Sequence, residues 1–450
     1  MNELHDLTVA EAARRIRGRE LSPVELVEHL LARIGRSQPS LKAFVTVDAD
    51  GARAAARSAE AVLARGDAAG PLLGVPFAAK DIYDAEGLPT TAGFGPLANS
   101  VAKSDSFTVA RLKAAGAILV GKAITTQFAS SDPSPTLNPW RADRTPAGSS
   151  SGSGAGVAAR LVPMALGTQT GGSILRPAAY NGVVGLKPTY GRVSRQGIVP
   201  LSWSLDHAGP IVRTVEDAAL VLGVIAGHDP RDPRSLTADV PDYVSELQKP
   251  LTAPRLGLLV DFLDRAEPEV RAHLEAVADR LRAFGATVVE VRLPSPVDLY
   301  LAVHGITMQC EAAAVHATWL ARDRSAYSPR IRASAMLGEV VPSWAYLHSQ
   351  RLRRRLAAET QPLLEDLDAF LLPTASNLPP GPETTGDASF QAPWSLLGLP
   401  SISLPSGMSD AGLPFATQLV GRHLDEPTLL RAAAWGEGVF DFQARPTEIW

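Results

Sequence analysis

The chain has 450 residues, of which 45% are hydrophobic and 20% charged, and its net charge is near −4. This length allows about two or three ordinary domains or one large domain with insertions, and the composition is that of a globular protein with a sizeable core. The slight negative charge gives no electrostatic reason to bind nucleic acid or an anionic membrane.

The N-terminus and the apolar segments predict a soluble, cytoplasmic protein. Residues 1–6 show no basic stretch leading into an apolar run, which a secretory signal requires. The longest apolar segments, such as 218–226, reach about half a membrane span. The single cysteine, Cys310, excludes an internal disulfide and fits a reducing compartment.

Helices are predicted at the start of the chain. Thr8 and Ser22 each stand three residues before a glutamate, the spacing of a capping box, and a proline follows Ser22 directly. The alanine-rich stretch 48–65 predicts a third helix.

From residue 74 onward, short strands alternate with helices. The run 74–81 predicts a strand with Lys80 at its end, 107–115 predicts a helix, and 117–120 predicts the next strand. Further strands are predicted at 256–260, 287–291, 370–372, 401–404 and 415–420, with a helix at 268–284. This alternation favours an α/β sheet with helices on both faces.

Two regions depart from the alternation. Residues 300–360 are helical in pattern and are interrupted by Pro329 and Pro342. Residues 373–393 form a long proline-rich loop, and such loops inside a compact domain are usually functional.

Two segments rich in glycine and serine, 146–156 and 167–173, are interpreted as loops that carry the chemistry. Serine supplies hydroxyls, and glycine lets backbone amides approach a bound group, so the pair suits a serine nucleophile that faces amide donors. A flexible linker is disfavoured because the apolar residues 157–166 lie between the segments. A phosphate-binding loop is disfavoured because no Gly-Lys-Ser/Thr closes the glycine run.

A serine nucleophile needs a base. None of the nine histidines lies in a Gly-x-Ser-x-Gly elbow or beside the serine segments; His207 comes closest and is interpreted as a packed structural residue. Lys80 is the better candidate because it ends an apolar strand, and burial lowers the pKa of an amine. Histidines and carboxylates show no metal-ligand spacing, so neither a metal site nor a cofactor is expected.

Together with Lys80, the serine segments resemble the amidase signature family of serine hydrolases. The resemblance covers nearly the whole chain and includes the segments 74–81, 114–122, 185–189, 204–210 and 397–400. It implies a mixed, twisted central β-sheet sandwiched between α-helices, in a single domain over residues 1–450. The implied parts are N-terminal helices at 1–70, the signature core at 71–230, a variable helical and βαβ region at 231–370, and C-terminal strands with a helix at 371–450.

The resemblance also implies a Ser–cis-Ser–Lys triad. Lys80 matches the family's base, Ser149 its bridging serine after a cis Gly148–Ser149 bond, and Ser173 its nucleophile. Ala129 falls where the family uses a backbone carbonyl to contact the substrate amide. The oxyanion hole would be formed by the amides of Thr170, Gly171, Gly172 and Ser173.

Some positions depart from the family pattern. Gln169 and Leu175 stand where the family carries Asp and Arg, so both charges are lost together and no orphan buried charge is left. Arg176 is expected to pair elsewhere. The remaining serines are interpreted as hydrogen-bonding loop residues and not as second nucleophiles: Ser150, Ser151 and Ser153.

The expected activity is hydrolysis of the C–N bond of a neutral, partly hydrophobic small-molecule amide through an acyl-enzyme on Ser173. Aryl amides, carbamates (urethanes) and simple esters stay open as substrates. Two other classes also stay open, namely a subunit of a tRNA-dependent amidotransferase of the glutaminyl-tRNA type, acting with a partner, and a catalytically silent binding protein. The expected partners are the substrate and water, with a homodimer as the default assembly.

Substrate contacts are expected from the two variable regions, 300–360 and 373–393. Five aromatic residues are candidates either for the pocket or for the core: Trp203, Trp344, Tyr346, Phe390 and Trp394.

Overall fold

One sheet of eleven strands runs through the part of the chain that the computed structural model describes, residues 3–67 and 70–447. The strands are β1 Phe44–Val47, β2 Pro76–Lys80, β3 Ile118–Ala123, β4 Met164–Gln169, β5 Val184–Lys187, β6 His207–Val212, β7 Arg255–Leu259, β8 Thr287–Val291, β9 Ala369–Pro373, β10 Ser401–Met408 and β11 Pro414–Val420. Their order across the sheet is β1-β3-β2-β4-β6-β5-β10-β11-β9-β7-β8.

The sheet is mixed, as the resemblance implies. Strand β2 pairs in parallel with β3 and β4, and β7 pairs in parallel with β8 and β9, whereas the other neighbours are antiparallel. Every residue of β2 to β6 is buried, but the edge strands β1 and β8 have exposed positions. Strands buried on both faces are those that helices cover on either side.

Helices occupy much of the remaining chain. They are α1 Val9–Arg17, α2 Pro23–Leu41, α3 Ala49–Arg65, α4 Phe107–Ala114, α5 Ser151–Ala158, α6 Leu175–Asn181, α7 Val215–Ile225, α8 Tyr243–Gln248, α9 Val260–Leu263, α10 Pro268–Ala283, α11 Val297–Arg322, α12 Pro329–Val340, α13 Ser343–Thr360, α14 Ala392–Leu397 and α15 Glu426–Phe440. None of those in the described ranges is both long and apolar enough to cross a bilayer.

Local signals set several helix ends where the sequence predicts them. Thr8 and Glu11 form the full capping box of α1, and Ser22 accepts hydrogen bonds from two amides in the first turn of α2. Pro329 is the first residue of α12 and Pro342 is the N-cap of α13, so each proline begins a helix. The predicted interruption of 300–360 at these two prolines is confirmed.

The prediction of a loop over 146–156 is wrong beyond Ser150, because α5 begins at Ser151, and that of a loop over 167–173 is wrong up to Gln169, the last residue of β4. All eight residues of α5 are buried. A Cβ atom on Gly152 would lie 2.1 Å from the Ala43 carbonyl oxygen and 2.5 Å from the Ile124 amide nitrogen. The small residues therefore let the helix pack directly against neighbouring backbone, and this packing outweighs their weak helix propensity.

The two variable regions lie over the same part of the sheet. Helix α11 contributes His304, whose ring contacts the segment that follows β4, and the loop 374–391 contributes Ala388 beside the same segment. The carboxyl ends of β2 and β4 meet there because the two strands are parallel neighbours. This edge of the sheet brings the serine segments and the variable regions together.

Candidate active site

The end of β2 and the end of β4 place a lysine beside two hydroxyls. Lys80 is the last residue of β2, and its Nζ lies 2.7 Å from Thr168 Oγ1 on β4 and 2.7 Å from Ser149 Oγ. The lysine side chain is fully buried. Burial lowers the pKa of Lys80 well below its ordinary value, although the nearby Asp206 carboxylate opposes the shift. The neutral amine, which can accept a proton, is therefore favoured.

Ser149 is held in the segment that leads into α5. The peptide bond from Gly148 to Ser149 is cis, as the resemblance implies. Arg176 Nη2 donates to the carbonyl oxygen of Gly148 at 2.9 Å, and the Ser149 carbonyl accepts from the amide of Thr126 at 3.1 Å. The next residue, Ser150, donates from its hydroxyl to the carbonyl oxygen of Ser173, which ties the two serine segments together.

Ser173 is the most accessible of the three residues of the expected triad. Its relative exposure is 8%, against 0% for Lys80 and Ser149. It stands between β4 and α6, in the short segment 170–173. Ser173 is thus the member of the expected triad with the most exposed surface, while the contact seen within the triad is that of Lys80 with Ser149.

The backbone of segment 170–173 turns its carbonyls toward the protein. Each carbonyl oxygen accepts a hydrogen bond, with these donors: His304 Nε2 for Thr170 (3.0 Å), Ser395 Oγ for Gly171 (2.8 Å), the Arg176 amide for Gly172 (2.9 Å) and Ser150 Oγ for Ser173. In residues 3–67 and 70–447, no backbone hydrogen bond outside the regular helices and strands has one of the four amides of the segment as its donor. These N–H groups are therefore available to a bound oxygen.

Two buried ionisable side chains, those of Asp206 and His207, lie close to this segment. Asp206 accepts from Thr170 Oγ1 and from the amides of Leu201 and Ser202, and burial raises its pKa. His207 is buried with its Nδ1 2.6 Å from the Leu205 carbonyl oxygen, and burial lowers its pKa well below the usual range. His207 is thus packed in the interior, as expected, and it also lines the small cavity that contains Thr168 and Thr170. Asp206 lies in the segment 204–210 that resembles the family, but its contact with Thr170 has no signal of its own in the sequence.

The departures at Gln169 and Leu175 have a structural explanation. Gln169 Oε1 accepts from the amides of Ile174 and Leu175 at 3.0 Å each, and its Nε2 donates to Ser395 Oγ at 3.1 Å. A neutral amide thus supplies both the acceptor and the donor that this position needs. Arg176 pairs elsewhere, as expected, because its Nε donates to the carbonyl oxygen of Thr385 at 2.7 Å.

Ala129 lies close to the reacting residues. It lines a small cavity together with Thr168, Thr170 and Asp206. Both Ala129 and the preceding Phe128 have positive φ, 56° and 50°, a backbone conformation that non-glycine residues adopt only when their surroundings hold it. The structure therefore places Ala129 beside the segment that contains the free amides.

A buried aromatic cluster holds this strained turn. The Phe128 ring lies 4.7 Å from Phe94, 4.4 Å from His316 and 5.4 Å from Tyr327, measured between centroids. These three rings come from parts of the chain far from Phe128, so their pattern in the sequence gives no sign of the cluster.

The aromatic residues considered for the pocket divide between core and surface. Phe390 and Trp394 pack in the core around Phe262, whereas Trp203 and Trp344 are 43% and 64% exposed. For Phe390 and Trp394 the interpretation as core residues is therefore correct. Tyr346 donates from its hydroxyl to Glu311 at 3.0 Å.

Among the residues described, no three His, Cys, Asp or Glu side chains converge as a metal site.

Comparison with known proteins identifies the class of the chain. The sequence model of the family described as Amidase matches residues 25–430. The chain therefore belongs to the amidase signature family, whose members hydrolyse C–N bonds.

Individual relatives match end to end. An amidase of Pseudomonas putida is 40% identical over 100% of this chain and 99% of its own length. A glutamyl-tRNA(Gln) amidotransferase subunit from Roseiflexus sp. (strain RS-1) is 39% identical with the same coverage. Among solved structures, the native peptide amidase of Stenotrophomonas maltophilia superimposes with a TM-score of 0.85 at 31% identity, covering 99% of each chain.

Proposed function

We propose that this protein hydrolyses the C–N bond of a neutral, partly hydrophobic small-molecule amide through an acyl-enzyme on Ser173. The observation that carries the proposal is the buried Lys80 amine 2.7 Å from the Ser149 hydroxyl. Burial lowers the pKa of this amine and so favours its neutral, proton-accepting form, and a serine hydroxyl needs such a base to become a nucleophile.

The proposed reaction begins with proton transfer along the triad. Ser149 gives its proton to neutral Lys80 and takes the proton of Ser173 as the latter attacks the substrate carbonyl. The oxygen of the tetrahedral intermediate accepts hydrogen bonds from the free amides of segment 170–173. The relayed proton leaves with the amine, and water then hydrolyses the ester on Ser173, returning the hydroxyl and releasing the acid.

The side chains nearest to Gly171 carry no charge, which supports a neutral substrate. A Cβ atom on Gly171 would have two nearest neighbours, the methyl of Ala388 at 3.5 Å and the ring of His304. Burial lowers the pKa of His304, so this ring is neutral. The backbone carbonyl of Ala129 is proposed to accept from the substrate amide. Carbamates, aryl amides and esters require the same attack and are included for that reason.

Labelling with a fluorophosphonate tests the nucleophile. Wild-type protein and the Ser151→Ala control should gain one phosphonyl group by intact mass, because the Ser151 hydroxyl only donates to the Ala147 carbonyl. Ser173→Ala should gain none and should hydrolyse no substrate in a screen of aryl amides, aliphatic amides, carbamates and esters. Sustained turnover by Ser173→Ala would contradict the proposal.

A second candidate is the catalytic subunit of an amidotransferase. It is favoured by the identity shared with the Roseiflexus protein, named as part of a glutamyl-tRNA(Gln) amidotransferase. Assays of the purified chain alone separate the two. Hydrolysis of small amides without a partner, with no preference for glutamine, supports the amidase, whereas glutaminase activity that needs a partner supports the amidotransferase.

A further inference from the structure

We propose that His304 and Ser395 are positioning residues that orient two amides of the oxyanion hole, an inference that rests on the proposed function. Neither side chain belongs to the serine segments. His304 lies on α11 and Ser395 on α14, both in parts of the chain outside residues 71–230. Each donates a hydrogen bond to a carbonyl oxygen of segment 170–173.

The peptide unit is planar. The carbonyl of residue 170 and the amide of residue 171 belong to one plane and point in opposite directions. When His304 Nε2 holds the Thr170 carbonyl oxygen at 3.0 Å, the N–H of Gly171 is turned away from α11. In the same way, Ser395 Oγ at 2.8 Å from the Gly171 carbonyl oxygen fixes the N–H of Gly172.

The two glycines make such anchoring necessary. Glycine has little preference between backbone conformations, so peptide planes next to Gly171 and Gly172 rotate easily unless something holds them. A donor of the oxyanion hole must already point at the oxygen before the charge develops. The carbonyl contacts of His304 and Ser395 supply this restraint.

Both donors are themselves fixed in direction. A carbonyl oxygen can only accept, so the proton of His304 resides on Nε2. The hydroxyl of Ser395 accepts from Gln169 Nε2 at 3.1 Å, which leaves its own proton for the Gly171 carbonyl. Gln169 in turn is held by the amides of Ile174 and Leu175. The hydrogen bonds therefore form a continuous chain from the start of α6 to segment 170–173.

The rate of Ser173 labelling by a fluorophosphonate tests the inference without knowledge of the substrate. Phosphonylation develops negative charge on the phosphoryl oxygen, so its maximal rate depends on the oxyanion donors, whereas reversible probe binding depends much less on them. His304→Ala and Ser395→Ala should each lower the maximal labelling rate by about 10- to 100-fold, less than the loss of a whole donor. The concentration of probe that gives half of that rate should change by less than about twofold.

Rescue and matched controls separate orientation from general damage. His304→Gln keeps an N–H donor near the position of Nε2 and should recover most of the rate. Two controls remove a buried hydroxyl elsewhere. Thr307→Val removes the hydroxyl that donates to the Val303 carbonyl oxygen on the same helix, and Ser401→Ala removes a serine hydroxyl outside the site. Both variants should be labelled at the wild-type rate. If His304→Ala does not fold, Ser395→Ala and His304→Gln still decide the matter.

The possible failures can be told apart. If wild-type Ser173 is not labelled, the proposed function and this inference are both wrong. If wild-type Ser173 is labelled and the alanine variants, folded by circular dichroism, react at the wild-type rate, only the positioning role is wrong. The positioning role is equally wrong if the variants weaken probe binding and leave the maximal rate unchanged.

Discussion

The Nζ atom of Lys80 and the Oγ atom of Ser149 lie 2.7 Å apart, and neither side chain is exposed. An ammonium group in this position would lose its hydration, so the neutral amine is stabilised relative to the charged one. The same burial that disfavours a charge on Lys80 makes the residue a proton acceptor. The proposed function therefore depends on a lysine whose charged form is disfavoured by its surroundings.

Replacing Lys80 should abolish most of the activity. Lys80→Met keeps the length and apolar stem of the side chain but removes the base, so kcat/KM should fall by about 100-fold or more. The matched control is Lys187→Met, which removes another fully buried amine, one that donates to the Leu399 carbonyl oxygen and not to a serine. Steady-state hydrolysis of the best substrate from the screen measures both. Comparable losses in the two variants would show that Lys80 has no special role.

The activity should fall on the acid side of the pH profile. Protonated Lys80 cannot accept a proton, so kcat/KM should drop about tenfold per pH unit below the pKa of this residue in the free enzyme. Burial lowers that pKa, so the limb should lie well below lysine's ordinary value of 10.5, and the Asp206 carboxylate moves it partly back upward. Rate measurements from about pH 5 to 10 locate the limb. A limb centred near 10.5 would mean that the base is an exposed lysine.

The residues proposed for the triad can be singled out from the sequence because their motifs are local. Lys80 at the end of an apolar strand, and the serines in glycine-rich segments, can be read from neighbouring residues. Contacts made by distant residues carry no such signal. His304 is 134 residues from the carbonyl it holds, and the buried ring of His316 meets Phe128 only after α11 has folded over the sheet.

Secondary structure shows the same division. The strand ending at Lys80 and the helices begun by capping residues follow from local patterns. Helix α5 does not, because its glycines and serines disfavour a helix in isolation and only close packing against Ala43 and Ile124 explains it. The hydrogen bonding of the neutral Gln169 side chain could not be predicted either, because its partner Ser395 is distant in the chain.

Lys187 should make the folded protein more stable as the pH rises from about 7 to 10. Burial lowers its pKa to about 7, with Glu426 opposing, while the unfolded chain keeps a value near 10.5. Between these values the unfolded state binds one more proton than the folded state, so the free energy of unfolding rises by about 1.4 kcal/mol per pH unit. Urea titrations at several pH values should show a flatter dependence for Lys187→Met than for the wild type. Equal slopes would place the pKa of folded Lys187 near its ordinary value.

Two glycines of α5, one turn apart, should respond oppositely to alanine. A Cβ on Gly152 would lie 2.1 Å from the Ala43 carbonyl oxygen, and the Gly152 amide also donates to the Ile124 carbonyl oxygen at 2.9 Å, so backbone would have to move. Gly152→Ala should lower the free energy of unfolding by about 1–3 kcal/mol or more.

For Gly156→Ala the new Cβ would lie 3.9 Å from the Ala43 Cβ, an ordinary contact. This variant should therefore gain about 0.5–1 kcal/mol from the better helix propensity of alanine. Urea denaturation of both variants against the wild type measures the difference. If Gly152→Ala proved as stable as Gly156→Ala, close backbone packing could not be the reason that this serine-rich segment folds as a helix.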